Sequence, residues 1–114
     1  HLITVERVPA LEKKAKALLA ELGYDNVTGE MAGSTLGAPQ HGPFDAIIVT
    51  AASPQIPDTL VSQLAIGGRL VIPVGTRENQ ELMRVLRTEE GISVRWLGHC
   101  RFVPLIGEEA FPEQ

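Results

Sequence analysis

The sequence predicts an α/β fold: a parallel sheet with helices on its faces, finished by an antiparallel hairpin. Three observations carry this. Short apolar runs alternate with helical stripes twice over residues 2–74, the signature of β-α-β units. The run Ala46-Ile47-Ile48-Val49 is continuously apolar, as in strands covered on both faces. After a Gly-ended turn, Ile92, Val94 and Trp96 alternate with Ser93 and Arg95, the period of a half-buried strand.

The elements follow in order. Leu2 to Val5 is apolar with two β-branched residues and reads as a buried strand. Pro9 suits a first helical position, and Leu11, Ala15, Leu18, Leu19 and Leu22 form the core stripe of an amphipathic helix. Gly23 ends it as a left-handed residue. Asn26 to Met31 is a second, weaker strand, and Gly33 to Pro43 is loop, with three Gly and two Pro. Phe44 to Val49 is the strongest strand. Pro57 opens a second helix that presents Leu60, Val61 and Leu64 and is ended by Gly67-Gly68, before a strand over Leu70 to Val74. Residues 81–87 fit helix or strand by periodicity. The turn chemistry of Thr88-Glu89-Glu90-Gly91, leading into an alternating run, favours a hairpin. Arg101 to Ile106 is extended and broken by Pro104.

Composition bounds the function. The chain has 114 residues, with 10 Lys+Arg against 14 Asp+Glu and a net charge of −4. Apolar residues are 44% and charged residues 21%, which excludes disorder and suits one globular domain over 1–114. Without a basic block, nucleic acid is not expected as partner. No apolar run reaches the ~20 residues of a membrane span. The start, His1-Leu2-Ile3-Thr4-Val5-Glu6, has no signal-peptide pattern. A lone Cys100 excludes an intrachain disulfide and a multi-cysteine zinc site, and a reducing, cytoplasmic setting is expected.

In parallel sheets ligands sit beyond the C-terminal ends of the strands. That rule selects Glu6, the loop from Gly33, and Thr50 onward. A carboxylate at Glu6 can accept both hydroxyls of a ribose. By position alone the plainer reading is a solvated glutamate that favours the next helix's N-terminus. Gly33 and Gly37 permit close approach of a ligand, but the loop lacks a phosphate-loop pattern, and an ordinary surface loop is the plainer reading. Thr50-Ala51-Ala52-Ser53-Pro54 leaves space above the strand end, or is simply a tight connection. His99 and Cys100 are adjacent, so on a strand they face opposite sides and form no thiol–imidazole pair. His1, His41 and His99 lack metal-ligand spacing, and no metal is expected.

Several stretches together resemble the S-adenosylmethionine-dependent protein-L-isoaspartate O-methyltransferases. They are Val5-Glu6-Arg7-Val8-Pro9-Ala10-Leu11, Leu22 to Val27, Pro43 to Ala52, Ile56-Pro57, Leu64, Gly67 to Gly75, and Arg101-Phe102-Val103-Pro104-Leu105-Ile106-Gly107. The resemblance implies a Rossmann-like sheet. It also implies methyl transfer from S-adenosylmethionine to the carboxyl of L-isoaspartyl residues, a protein-repair reaction. By the same resemblance Glu6 would hold the cofactor ribose, Gly33 and Ser34 would border the adenine, and Thr50 and Ala51 would border the pocket. Val103, Pro104 and Leu105 would lie along the substrate peptide.

Two departures stand out. The family's Gly-Asp-Gly is here Ala32-Gly33-Ser34, without the carboxylate near adenine. The match also begins mid-family, so the N-terminal substrate segment, the first strand and the Gly-rich cofactor turn have no counterpart, and no G-x-G-x-G occurs in these residues. The chain reads as an incomplete, C-terminal portion that does not methylate alone. In the family's order, 3-2-1-4-5-7-6, the unmatched strand is central. The expected repair is direct pairing of strands 2 and 4, giving 3-2-4-5-7-6. A second copy covering the open edges, or an upstream segment, are the alternatives. The rival function is a non-catalytic self-association or protein-binding module.

Overall fold

The computed structural model describes residues 1–113. The elements are β1 (Leu2–Glu6), α1 (Pro9–Glu21), β2 (Val27–Met31), a 3-10 turn (Pro39–His41), β3 (Phe44–Ile48), α2 (Asp58–Val61), β4 (Leu64–Gly75), β5 (Gln80–Thr88) and β6 (Gly91–Cys100). The mixed α/β character is as expected: β1–β2 and β3–β4 are parallel, β4–β5 and β5–β6 antiparallel.

The strand order differs from expectation. β1 and β2 form a two-stranded sheet of their own, and β3-β4-β5-β6 form a second. The order 3-2-4-5-7-6 required β1 to pair with β3, and β6 to lie between β4 and β5. Neither ladder exists among the described residues. The second departure has a local cause. Residues 76–79 close a tight turn in which the Thr76 amide donates to the Asn79 carbonyl (2.9 Å) and the Asn79 amide donates to Thr76 Oγ1 (3.0 Å). A hairpin that tight leaves no room for a strand between its arms. The first departure follows from the 32–43 loop. Gln63 pins it to α2, donating to the Leu36 carbonyl (2.8 Å) and accepting the Ala38 amide (3.0 Å). Glu30 pins its far end, bonded to Gln40 (2.9 Å) and His41 (2.5 Å). The small sheet is thus held by loop contacts, not by a ladder.

The core lies on one face of the larger sheet. Ile47, Leu70 and Val85 stand in one cross-strand row. Leu70 and Val85 join Ile72, Leu60 and Leu64 in the buried cluster, against which the half-buried Ile47 packs. Each such burial stabilises by roughly 1.5–3 kcal/mol. The opposite face is open at β3, where Ala46 and Ile48 are exposed. Ile48, expected to be covered on both sides, is 74% exposed, because α2 covers only the side that carries Ile47 and Val49.

The second helix is much shorter than expected. It stops at Val61, and Leu64 already pairs with Phe44. The Phe44 amide takes the Gln63 carbonyl (2.7 Å), drawing the backbone into the sheet. Gly67-Gly68 therefore belongs to a bulge in β4 and not to a helix stop. A Cβ on Gly68 would stand 2.8 Å from the Ala65 carbonyl oxygen and 2.9 Å from that of Phe44.

Helix α1 forms where expected, with Pro9 in its first turn and Gly23 (φ 82°) just past its end. Its apolar stripe is not buried: no residue of α1 is, and Leu11, Leu18 and Leu22 are all exposed. The geometry explains this. A helix with side chains is roughly 10–12 Å across, whereas two strands stand only about 4.8 Å apart.

No helix among the described residues is long and apolar enough to cross a membrane.

Candidate functional site

Two groups of expected residues gather at strand ends. The first is on the small sheet. Glu6 is the last residue of β1, and its carbonyl accepts the Ala32 amide (2.8 Å) as the chain leaves β2. Ala32, Gly33 and Ser34 therefore run out beside Glu6. Gly33 and Ser34 are exposed, and an ideal Cβ on Gly33 has nothing within 4 Å. The half-buried Glu6 carboxylate takes no hydrogen bond among the described residues, so an acceptor is free at the strand end. Glu6 also lines a groove of about 450 Å³ between α1 and the small sheet, with Thr4, Leu11, Glu12 and Tyr24.

The second group lies on the larger sheet. β3 extends past Ile48 through the Val49 amide, which donates to the Val71 carbonyl (2.9 Å). Thr50 is exposed and Ala51 half-buried. Ala52 then binds the strip Val103-Pro104-Leu105: its amide donates to the Val103 carbonyl and its carbonyl accepts the Leu105 amide, both at 2.7 Å. Pro104 is the bridge partner of Ala52. Having no N–H, Pro104 offers only a carbonyl, and no hydrogen bond among the described residues uses it. Val103 is 70% exposed.

The structure thus joins Glu6 with Gly33 and Ser34, and Thr50 and Ala51 with residues 103–105. No hydrogen bond among the described residues links the two groups directly.

Gln80 and Gln63 hold these segments and were not anticipated, while Ser53, expected in an open or turn segment, is buried. Gln80 is 2% exposed; its Oε1 accepts the Phe102 amide (2.7 Å), and its Nε2 donates to the carbonyls of Thr76 (2.8 Å) and Arg77 (3.2 Å). Ser53 is fully buried, its amide donating to Pro73 and its carbonyl accepting from Gly75. Gln63 anchors the 32–43 loop, as above. An isolated glutamine carries no sequence signal for burial, since its type is mostly exposed.

The nucleophile and metal readings gain nothing. His99 sits opposite Glu81 and edge-on to Trp96 (5.5 Å), while Cys100 sits opposite Gln80. No cluster of three potential metal ligands occurs among the described residues.

The family model for protein-L-isoaspartate(D-aspartate) O-methyltransferase matches residues 1–110. A protein-L-isoaspartate O-methyltransferase of Roseiflexus castenholzii is 52% identical over 108 residues, covering 95% of this chain and 50% of its own. A solved protein-L-isoaspartate O-methyltransferase superposes with a TM-score of 0.83 at 24% identity, over 95% of this chain and 34% of that one. A Plasmodium falciparum protein assigned to the same enzyme class, solved in complex with S-adenosyl-L-homocysteine, gives 0.74 at 28% identity, over 89% of this chain and 50% of that one. The chain spans about half the length of the curated relatives it matches.

Proposed function

This chain belongs to the protein-L-isoaspartate(D-aspartate) O-methyltransferase family, and on that premise we propose that it is the ribose-holding and peptide-docking part of such an enzyme. The reaction is transfer of methyl from S-adenosylmethionine to the carboxyl of an L-isoaspartyl residue in a damaged protein. The cofactor supplies an electrophilic methyl group. The residues here bind and orient. Glu6 accepts the two ribose hydroxyls with its free carboxylate, a role that suits an unengaged acceptor at a strand end. Gly33 and Ser34 border the adenine, where Ser34 stands in place of the family's carboxylate. Thr50 and Ala51 border the pocket. Val103, Pro104 and Leu105 lie along the substrate backbone, and the unused Pro104 carbonyl accepts one of its amides.

The observation that carries this reading is the pair of 2.7 Å bonds that clamp Ala52 between Val103 and Leu105. They set the family-specific Val-Pro-Leu strip directly beside the end of β3, where ligands of parallel sheets sit.

The 114 residues form one incomplete domain in this account, and they do not methylate alone. They contain no G-x-G-x-G turn to hold the methionine part of the cofactor. The setting is cytoplasmic, as for a repair enzyme acting on intracellular proteins.

A methyl-transfer assay on an isoaspartyl peptide and its aspartyl counterpart tests the reading. It compares the chain alone with a form extended in frame to the length of the relatives. The expected result is no transfer by the chain and isoaspartyl-selective transfer by the extended form. Transfer to a small molecule but to neither peptide would overturn it in favour of a generic methyltransferase.

A second reading, a self-association or protein-binding module, is favoured by one observation. Among the described residues, β1 and β3 each have a ladder partner on one side only. Light scattering separates the two, since a strictly monomeric chain removes the idea that a second copy covers those edges.

A further inference from the structure

One turn grips the strip Val103-Pro104-Leu105 from both ends. Residues 76–79 close the hairpin between β4 and β5, and β5 opens at Gln80. Ahead of the strip, the Gln80 side chain takes the Phe102 amide (2.7 Å). Behind it, the chain turns back over residues 107–110, where the Ala110 amide donates to the Gly107 carbonyl (3.2 Å). That turn lays Phe111 beside Ile106, and the Phe111 amide donates to the Leu105 carbonyl (2.9 Å). Leu105 is thus held twice, by Ala52 at its amide and by Phe111 at its carbonyl.

Arg77, within the same turn, holds Phe111 in that place. Its guanidinium carbon lies 4.7 Å from the centre of the Phe111 ring, and its Nη2 donates to the Pro112 carbonyl (2.8 Å). A planar guanidinium stacks on a ring and donates from its edge at the same time, whereas an ammonium is a point charge. The Arg77 backbone is itself fixed, since its carbonyl accepts from Gln80 Nε2 (3.2 Å). The other ties of the returning segment are weaker. Ser53 Oγ reaches the Glu109 carbonyl at 3.4 Å, and the Glu109 carboxylate takes the Thr59 amide at 3.3 Å. The Arg7–Glu113 pair spans 3.4 Å with side chains 52% and 74% exposed, and such a pair contributes little. Among the described residues Arg77 has no carboxylate partner, so its charge is directed at the ring and the Pro112 carbonyl.

We propose that Arg77 is a positioning residue for peptide docking: it holds Phe111 and Pro112, and through the Phe111–Leu105 bond it keeps the Val103-Pro104-Leu105 strip in place for the substrate backbone.

The inference rests on the reading of residues 103–105 as the peptide strip, and adds what fixes that strip. Arg77 acts through Phe111 and not on the substrate. A strip released at one end has to be ordered whenever a peptide binds, and that cost falls on affinity. Once the peptide is bound, methyl transfer proceeds as before, so KM changes and kcat does not. Glu6, Gly33 and Ser34 belong to the other group of site residues, so cofactor affinity stays the same.

The test uses the form extended in frame to the length of the relatives. It combines steady-state kinetics on an isoaspartyl peptide, calorimetry with S-adenosyl-L-homocysteine, and amide exchange. Arg77→Met should raise the peptide KM about 5- to 20-fold and lower exchange protection at the Phe111 amide by a similar factor. The kcat and the S-adenosyl-L-homocysteine affinity should stay within ~2-fold of the parent. Arg77→Lys keeps the charge and should fall between the parent and Arg77→Met. Phe111→Leu should reproduce Arg77→Met, and the double variant should exceed either single by less than ~2-fold. Phe111→Leu also carries the test if Arg77→Met fails to fold. Val103→Asp, at an exposed position of the strip, is the control for the docking reading. A KM raised by Val103→Asp but by neither Arg77→Met nor Phe111→Leu overturns the inference alone. A KM moved by none of the three overturns the docking reading, and the inference with it. A fall in kcat with KM unchanged marks Arg77 as merely structural and also overturns the inference, as does a raised KM with protection at Phe111 unchanged.

Discussion

Replacing Gln80 by leucine removes a clamp that joins three segments. The side chain satisfies the Phe102 amide at 2.7 Å and the carbonyls of Thr76 and Arg77 at 2.8 and 3.2 Å, from a site only 2% exposed. A buried backbone group stripped of its partner costs about 1–3 kcal/mol. Thr76 is exposed and Arg77 half-buried, so their carbonyls re-solvate and most of the loss falls on the short Phe102 bond. Gln80→Leu should therefore lower stability by about 1–3 kcal/mol in urea unfolding. The local signature is more specific. Opening of the 102–105 strip becomes easier by the same amount, so exchange protection at the Phe102 and Leu105 amides should fall by roughly 5- to 150-fold, more than at Val85 in the core. Gln80→Glu keeps the acceptor for Phe102 but loses the donor, and should protect Phe102 better than leucine does. Unchanged protection at 102 and 105 with stability within about 0.5 kcal/mol of the parent would refute the clamp.

Other consequences are simpler. Leu70→Ala, at a fully buried position in the central row, should cost about 2–5 kcal/mol by urea denaturation. Gly68→Ala should destabilise clearly, because its Cβ meets two backbone oxygens below 3 Å. Gly33→Ala, with open space around it, should be neutral or stabilise by up to ~1 kcal/mol; thermal melts of the pair check the contrast. In the extended enzyme, Glu6→Gln should weaken S-adenosyl-L-homocysteine at least ~10-fold by calorimetry. Hydrogen bonds to a charged group contribute about 1.5–3 kcal/mol each.

Much of the fold was legible from residue pattern. The β-α-β order, the Gly23 helix stop and the final hairpin all follow from periodicity and turn chemistry, which act over a few residues. What failed was decided by tertiary contacts. The Leu60–Ile66 stretch has helical spacing, yet pairing of Leu64 with Phe44 ends the helix at Val61 and turns Gly67-Gly68 into a bulge. Ile48 has the composition of a doubly covered strand residue, but coverage depends on what else packs there. The family's general pattern puts β6 inside β5, while the four-residue turn after Gly75 decides the order locally. For the candidate site, Glu6, Thr50, Ala51 and the Val103–Leu105 strip follow from the rule that ligands sit beyond strand ends and from the family motif. Gln63 and Gln80 were invisible, because a glutamine becomes structural only when distant backbone groups converge on it.

The central claim is that these 114 residues hold the ribose and peptide side of the site without the means to bind the cofactor tightly. Titration calorimetry of the chain with S-adenosylmethionine tests it most directly. The account predicts no saturable binding in the micromolar range; a low-micromolar dissociation constant for the chain alone would contradict it.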